Sequence, residues 1–241
     1  MQDFVLQAGD LGILIQTIRA EGYRLLGPVV RKNSVICGEI ESSSELYAGT
    51  DLQRHSGRYT YFSHAAGLQA WNKSLQFPWR KVAHTDAGEG RLPITKIIED
   101  SQPLAILGIR SCELHAISET DCGLGKVRHR DGRSAPWNRD FFSVSVNCRP
   151  AGDACICSAM GPESEAEMSP PGDLVMTEVC DAHDHYFLIG SDSYRGAQIL
   201  QQLPVTPASE YQLELARKVG QAAVLSAEPD MSRVRQLVSR T

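Results

Sequence analysis

The chain has 241 residues, 42% hydrophobic and 22% charged, enough for one large domain or two small ones around a real core. A formal net charge of -5 gives no electrostatic basis for binding nucleic acid or acidic lipid. The longest apolar runs, residues 104–109 and 141–146, are strand-sized and far short of a bilayer span, so no membrane span is expected. Met1-Gln2-Asp3-Phe4 has no basic stretch leading into an apolar segment, so no secretory signal is read and a cytoplasmic location is expected.

In chain order, residues 10–21 predict a helix: Leu11, Ile13, Leu14, Ile15 and Ile18 recur at roughly helical spacing, with Asp10 placed to cap the start and Gly22 to end it. Residues 24–28 and 34–40 read as extended, separated by the polar turn Arg31-Lys32-Asn33. Residues 41–80 are polar and aromatic with no clean period, and are expected as irregular structure over a sheet. Residues 94–101 suggest a short helix, 103–109 a buried strand, and 112–119 a helix beginning at Cys112. Strand, tight turn and helix in that order make an α/β unit whose functional turn lies at the strand's carboxyl end.

Residues 122–140, charged and rich in glycine, read as an exposed loop. Residues 141–146 are strand again and deliver Asn147 and Cys148 to its end. Residues 149–173 carry Cys155 and Cys157 among Gly, Pro, Ser and Glu, including the acidic stretch 163–167. This loop needs something to order it, and a metal would supply that order. Residues 174–179 and 186–190 read as a hairpin, with His183 and His185 in a solvated turn; 193–203, 208–226 and 230–240 read as helices. The fold class is therefore α/β, with α+β as the variant: a mixed sheet flanked by helices, a cysteine-bearing loop and a C-terminal helical segment. Three stretches follow: 1–95, an N-terminal α+β region; 96–205, an α/β cluster-binding region; and 206–241, the helical segment.

Seven cysteines in a chain expected in the cytoplasm are not read as a disulfide framework, because thiols there stay reduced. Clustering then points to metal binding or catalysis. Three cysteines fall close together as Cys148-x6-Cys155-x-Cys157, and Cys112 ends the strand-like run at 107–112. Four thiolates from two segments suit an iron–sulfur cluster or a tetrahedral zinc, since both take four soft, deprotonated sulfurs. Cys112 at a helix start gains from backbone N–H groups and the helix dipole, which favour thiolate. Arg110 either adds positive charge beside a cluster, raising its potential, or makes a surface ion pair.

No Cys-x2-Cys occurs, so neither the zinc-ribbon knuckle nor the bacterial ferredoxin run is present. On residues alone a cluster, a zinc site and unligated thiols all stand open. Cys122 is a substitute ligand candidate, and His115 a candidate for a zinc site or a base beside Cys112. Cys37 and Cys180, in strand-like surroundings, read as inert buried thiols.

The segment Gly108-Ile109-Arg110-Ser111-Cys112-Glu113 resembles the Gly-x-Arg-Pro-Cys-Asp motif of the family that holds sulfhydrogenase β subunits and their counterparts in anaerobic sulfite reductase. Asn147-Cys148, then Cys155-Ile156-Cys157-Ser158-Ala159-Met160-Gly161, is similar to that family's Asn-Cys…Cys-Phe-Cys-x-x-Met-Gly. Gly172-Asp173-Leu174, Thr177-Glu178, Trp71-Asn72-Lys73 and Leu75-Gln76-Phe77-Pro78 also match. Ser111 and Glu113 depart from the family's proline and aspartate and leave the thiol in place.

The resemblance implies one [4Fe-4S] cluster on Cys112, Cys148, Cys155 and Cys157, relaying electrons between a flavoprotein subunit that handles NAD(P)H and a catalytic redox partner such as a hydrogenase or sulfite reductase. Family members continue into a ferredoxin-like region, whereas no cysteine follows Cys180 here. The resemblance thus implies either a chain that runs past Thr241 or a separate ferredoxin subunit. Three rival readings are set beside it: a zinc-stabilised interaction module, an enzyme using Cys112 as nucleophile, and a structural subunit whose ancestral cluster is lost.

Overall fold

The computed structural model describes residues 3–32, 34–50, 59–62, 84–85, 94–95, 102–114, 117, 141–148, 172–180 and 184–226. Among them an eight-stranded mixed sheet is the frame. Its strands are β1 (Phe4–Gln7), β2 (Arg24–Arg31), β3 (Ser34–Glu39), β8 (Leu104–Ile109), β9 (Phe142–Val146), β10 (Leu174–Cys180), β11 (His185–Ser191) and β12 (Thr206–Pro207). Their order across the sheet is β12-β1-β11-β10-β9-β8-β2-β3. Two small hairpins stand apart from it, β4 (Gly49–Thr50) with β5 (Tyr59–Thr60), and β6 (His84–Thr85) with β7 (Ile94–Thr95).

The centre, β2-β8-β9-β10, is parallel, and antiparallel pairs close both sides. Parallel strands lie between two covering layers, so they read as continuous apolar runs rather than alternations. Leu-Ala-Ile-Leu-Gly-Ile in β8 is buried on both faces for that reason. One face carries Leu25, Val29, Ala105, Leu107, Phe142, Val144, Leu174, Met176, Phe187 and Ile189. It is covered by Leu11, Leu14, Ile15 and Ile18 of helix α1 (Leu11–Ala20) and by Ile199 and Leu200 of helix α2 (Tyr194–Leu200). The opposite face packs Leu26, Leu104, Ile106 and Ile109 against Leu114 and Ile117. Farther along that face, Val5, Val179 and Tyr186 pack against Leu215 and Ala216 of helix α3 (Glu210–Ser226). Helices on both sides of a mixed sheet make this an α/β fold.

The helix expected over 10–21 forms, and Gly22 leaves it at φ +88, a conformation that costs glycine little. Asp10 does occupy the cap position but makes no side-chain cap bond; the short turn Ala8–Asp10 runs directly into α1 instead. The pair 24–28 and 34–40 becomes the hairpin β2–β3, and 174–179 with 186–190 becomes β10–β11. Residues 94–95 are strand, not the expected helix. Ile94 and Thr95 are both β-branched and pair with His84 and Thr85. The irregular stretch expected over 41–80 contains the short pieces β4 and β5 among its described residues.

The N-terminal strand β1 was not predicted, because four residues are too few to show a period. The loop expected at 122–140, the loop expected at 149–173 apart from the irregular Gly172 and Asp173, the later turns of the 112–119 helix and the helix at 230–240 lie outside the described residues. Strands come to the main sheet from all three predicted stretches. No helix among the described residues is long and apolar enough to cross a membrane.

Candidate functional site

Cys112 and Cys148 arrive together because β8 and β9 are neighbours in parallel. Their register runs Ala105↔Phe142, Ile106↔Ser143 and Leu107↔Val144, then shifts to Ile109↔Ser145. Gly108 is the extra residue, at φ +86. A Cβ there would lie 2.7 Å from Phe62 Cε1, so the position needs glycine both for its backbone angle and for space. The shift has a consequence for the thiols. Cys112 is three residues past Ile109, and Cys148 is three past its partner Ser145 (112 − 109 and 148 − 145). Adjacent strands are about 4.8 Å apart, so both cysteines follow the carboxyl ends of neighbouring strands, at one end of the sheet. The carboxyl ends of parallel strands are where such sheets bind ligands.

Local bonding fixes each approach. The chain is helical over 111–114, and the Arg110 carbonyl accepts from the N–H groups of Glu113 and Leu114, both at 3.0 Å. The Glu113 carboxylate, 3% exposed, reaches back to accept the Arg110 N–H at 2.8 Å. This is the acidic half of a capping box, with Cys112 at the second helical position. Cys112 and Cys148 are both half-buried. Before Cys148, Asn147 donates its N–H to the Met176 carbonyl and its side-chain amide to Thr177 Oγ1, each at 2.8 Å. The end of β9 is thereby tied to β10.

Arg110 is half-buried, and its Nη2 donates to the Phe62 carbonyl at 3.2 Å. Cys37 sits half-buried in β3 against the Leu26 cluster, and Cys180 ends β10 buried. Cys155 and Cys157 lie outside the described residues, as do His115, Cys122 and His183. So do the family-like Trp71, Lys73 and Phe77-Pro78 and the acidic stretch 163–167. Among the described residues no three or more His, Cys, Asp or Glu side chains form a group able to hold a metal ion.

Beside this pair stands an arrangement that sequence reading missed. Glu178, 1% exposed, accepts the Tyr61 N–H on Oε1 at 2.9 Å and the Phe62 N–H on Oε2 at 3.1 Å. His185 Nε2 lies 2.8 Å from the same Oε1, in a bond where an ionised carboxylate only accepts. The expectation of a solvated His185 is therefore corrected: it is in β11, its side chain 20% exposed and its ring stacked on Tyr61 at 5.9 Å. Residues 59–62 thus form a strap over the carboxyl ends of β8 and β10, with the Phe62 ring against Gly108 and Phe187. One signal was available: Glu178 shares the strand parity of Leu174 and Met176, so a charge there faces the core and must find donors.

At the other end of β10 a second buried acid, Asp173, accepts from the Ser143 N–H at 3.0 Å and from Arg195 Nε and Nη2, both at 3.2 Å. Ser193 Oγ also donates to it and, as the cap of α2, accepts the Gly196 N–H. These bonds hold the sheet and α2 together, away from the cysteines.

Comparison with models of known protein families gives no match, and comparison with curated proteins gives none.

Proposed function

We propose that the chain is an iron–sulfur electron-transfer subunit, or the N-terminal domain of one, in a cytoplasmic oxidoreductase complex. On this reading Cys112, Cys148, Cys155 and Cys157 hold one [4Fe-4S] cluster. Its partners are a flavoprotein subunit handling NAD(P)H and a catalytic redox subunit of the hydrogenase or sulfite reductase kind. The observation that carries the reading is the Cys112–Cys148 pair, two half-buried thiols just past the carboxyl ends of neighbouring parallel strands.

Two of the four donors suit the group: a cluster takes thiolates from segments a few ångströms apart, and adjacent strand ends have about that spacing. Cys155 and Cys157 follow Cys148 closely enough in sequence to supply the remaining two. A bound cluster supplies a site that accepts and releases one electron at a time. The residues of this chain would set its charge and wetness. Arg110, two residues before Cys112, adds a positive charge, and its bond to the Phe62 carbonyl holds that charge in one place.

The test is iron and acid-labile sulfide content of the anaerobically purified chain, with an electron paramagnetic resonance spectrum after dithionite reduction. About four irons and four sulfides per chain, and a signal lost in Cys155→Ala and Cys112→Ala, are expected. Stoichiometric zinc with no iron or sulfide, also after reconstitution, refutes the relay and leaves a zinc-stabilised interaction module.

A further inference from the structure

Cys112 and Cys148 are held by different means. Cys112 stands on a helical turn that the Glu113 carboxylate closes by accepting the Arg110 N–H at 2.8 Å. Cys148 lies in irregular backbone, two residues past the end of β9 at Val146. Two bonds come next to it in the chain, and Asn147 makes both. Its N–H donates to the Met176 carbonyl and its side-chain amide to Thr177 Oγ1, each at 2.8 Å. The first is one more rung of the parallel ladder, open to any residue but proline. The second needs an amide at 147 and an oxygen acceptor at 177.

Packing alone asks for a different residue at 177. Side chains alternate along β10, so Thr177 shares a face with Val175 and Val179, and Leu188 stands opposite it on β11. Val179 and Leu188 belong to the apolar cluster under α3, and Thr177 itself is 6% exposed. A valine has the same branched shape and would fill that row without taking a hydroxyl out of water. What the hydroxyl adds is the bond to Asn147. The same alternation puts Glu178 and its bonds to the strap on the other face, so the strap's anchors do not involve Thr177.

We infer that Thr177 is the positioning residue for Cys148, acting through Asn147, and that it thereby governs how long a cluster stays bound. The second half rests on the cluster reading, and the first half does not. One ladder bond makes residue 147 a pivot about which the chain beyond it turns. A second bond, from the side chain of the same residue to the next residue of β10, fixes its orientation as well. Cys148 then leaves the strand in one direction. A thiolate held in place re-forms a broken bond to iron before the iron departs, which is how hydrogen-bonded partners behind the ligands act at metal sites in general.

The experiment uses the full chain in three forms: unsubstituted, Thr177→Val and Thr177→Ser. Valine keeps the branched shape and loses the hydroxyl, and serine keeps the hydroxyl. Residue-resolved hydrogen exchange is measured on each chain as isolated. The Asn147 N–H is expected to exchange about tenfold faster in the valine chain than in the other two, with the amides of β11 unchanged as the report of an intact sheet. Release of iron to a chelator from the anaerobically reconstituted chains is expected about tenfold faster with valine and restored by serine. Equal protection of Asn147 in all three chains overturns the inference. So does a valine chain in which Asn147 is loosened while iron leaves at the unsubstituted rate. Loosening by valine and restoration by serine, in chains that hold zinc and take up no iron or sulfide, refutes the cluster reading alone and leaves Thr177 positioning a zinc ligand.

Discussion

Among the described residues, Glu178 and Arg110 hold the strap at 59–62 to the sheet by side-chain bonds to its main chain, beside the ring contacts of Tyr61 and Phe62. A buried carboxylate offers acceptors only, and here both oxygens are used by three donors. Glu178→Gln keeps the shape but turns an NH2 group toward one of those donors. It should cost about 1–3 kcal/mol, seen as a lower urea midpoint at unchanged slope. Arg110 separates two effects. Arg110→Gln should lower the midpoint potential of a reconstituted cluster by tens of millivolts, whereas Arg110→Lys, which keeps the charge, should move it much less. Equal potentials in all three proteins would remove Arg110 from the electrostatics and leave it a structural role. Gly196 shows the same economy of space at α2: a Cβ there would run into the Asp173 carbonyl oxygen, so no other residue fits without moving the helix.

Elements formed where the local pattern was strong, and their ends were decided by bonding that the pattern does not contain. The apolar run at 104–109 was legible as a strand, but the bulge inside it was not, because a lone glycine in a strand has several uses. That bulge sets the level at which Arg110 and Cys112 leave the sheet. Gly108→Ala puts an L residue at φ +86 and a methyl group into the Phe62 ring. The expected loss is about 2–5 kcal/mol, the sum of a left-handed backbone penalty and overpacking. Hydrogen exchange at the Tyr61 and Phe62 amides should quicken with it, since their partner Glu178 would no longer meet them squarely. Unchanged protection of those amides would show that the strap does not depend on the bulge. Ile94 and Thr95 taught the opposite lesson: two β-branched residues in a helical-looking window went to a strand once His84 and Thr85 offered pairing.

At the scale of the molecule, one side of the sheet is built from segments far apart in the chain, with β12 at the edge and β1 next to it. β1 lies between β11 and β12, so a segment near the start is held by strands close to 190 and 206. Val5 is 2% exposed and Leu6 not at all, on opposite faces of the sheet. Leu6→Ala should cost about 2–5 kcal/mol in chemical denaturation, as large as a core substitution elsewhere, despite its place six residues from the start. A loss below about 1 kcal/mol would mean that β1 is not part of the cooperative unit. The antiparallel flank also carries the Glu178–His185 bond, while the parallel centre carries Cys112 and Cys148. Both places thus sit at one end of the sheet, with the strap running over both β8 and β10.

By itself the sequence determined the α/β class, the strands expected at 103–109, 141–146 and 174–179 and the helix expected at 10–21, each of which the fold meets to within a residue at either end. Hydrophobic period, β-branching and the spacing of glycines are local properties, and they act on the chain before it folds. The tertiary structure alone decided that Ile109 meets Ser145, that Cys180 faces His185, and that Glu178 receives the N–H groups of residues 117 and 116 positions away. Such pairings are chosen by the summed packing of two whole layers against the sheet. No short window of residues contains that sum, which is why His185 read as a loop histidine until the strands were laid side by side.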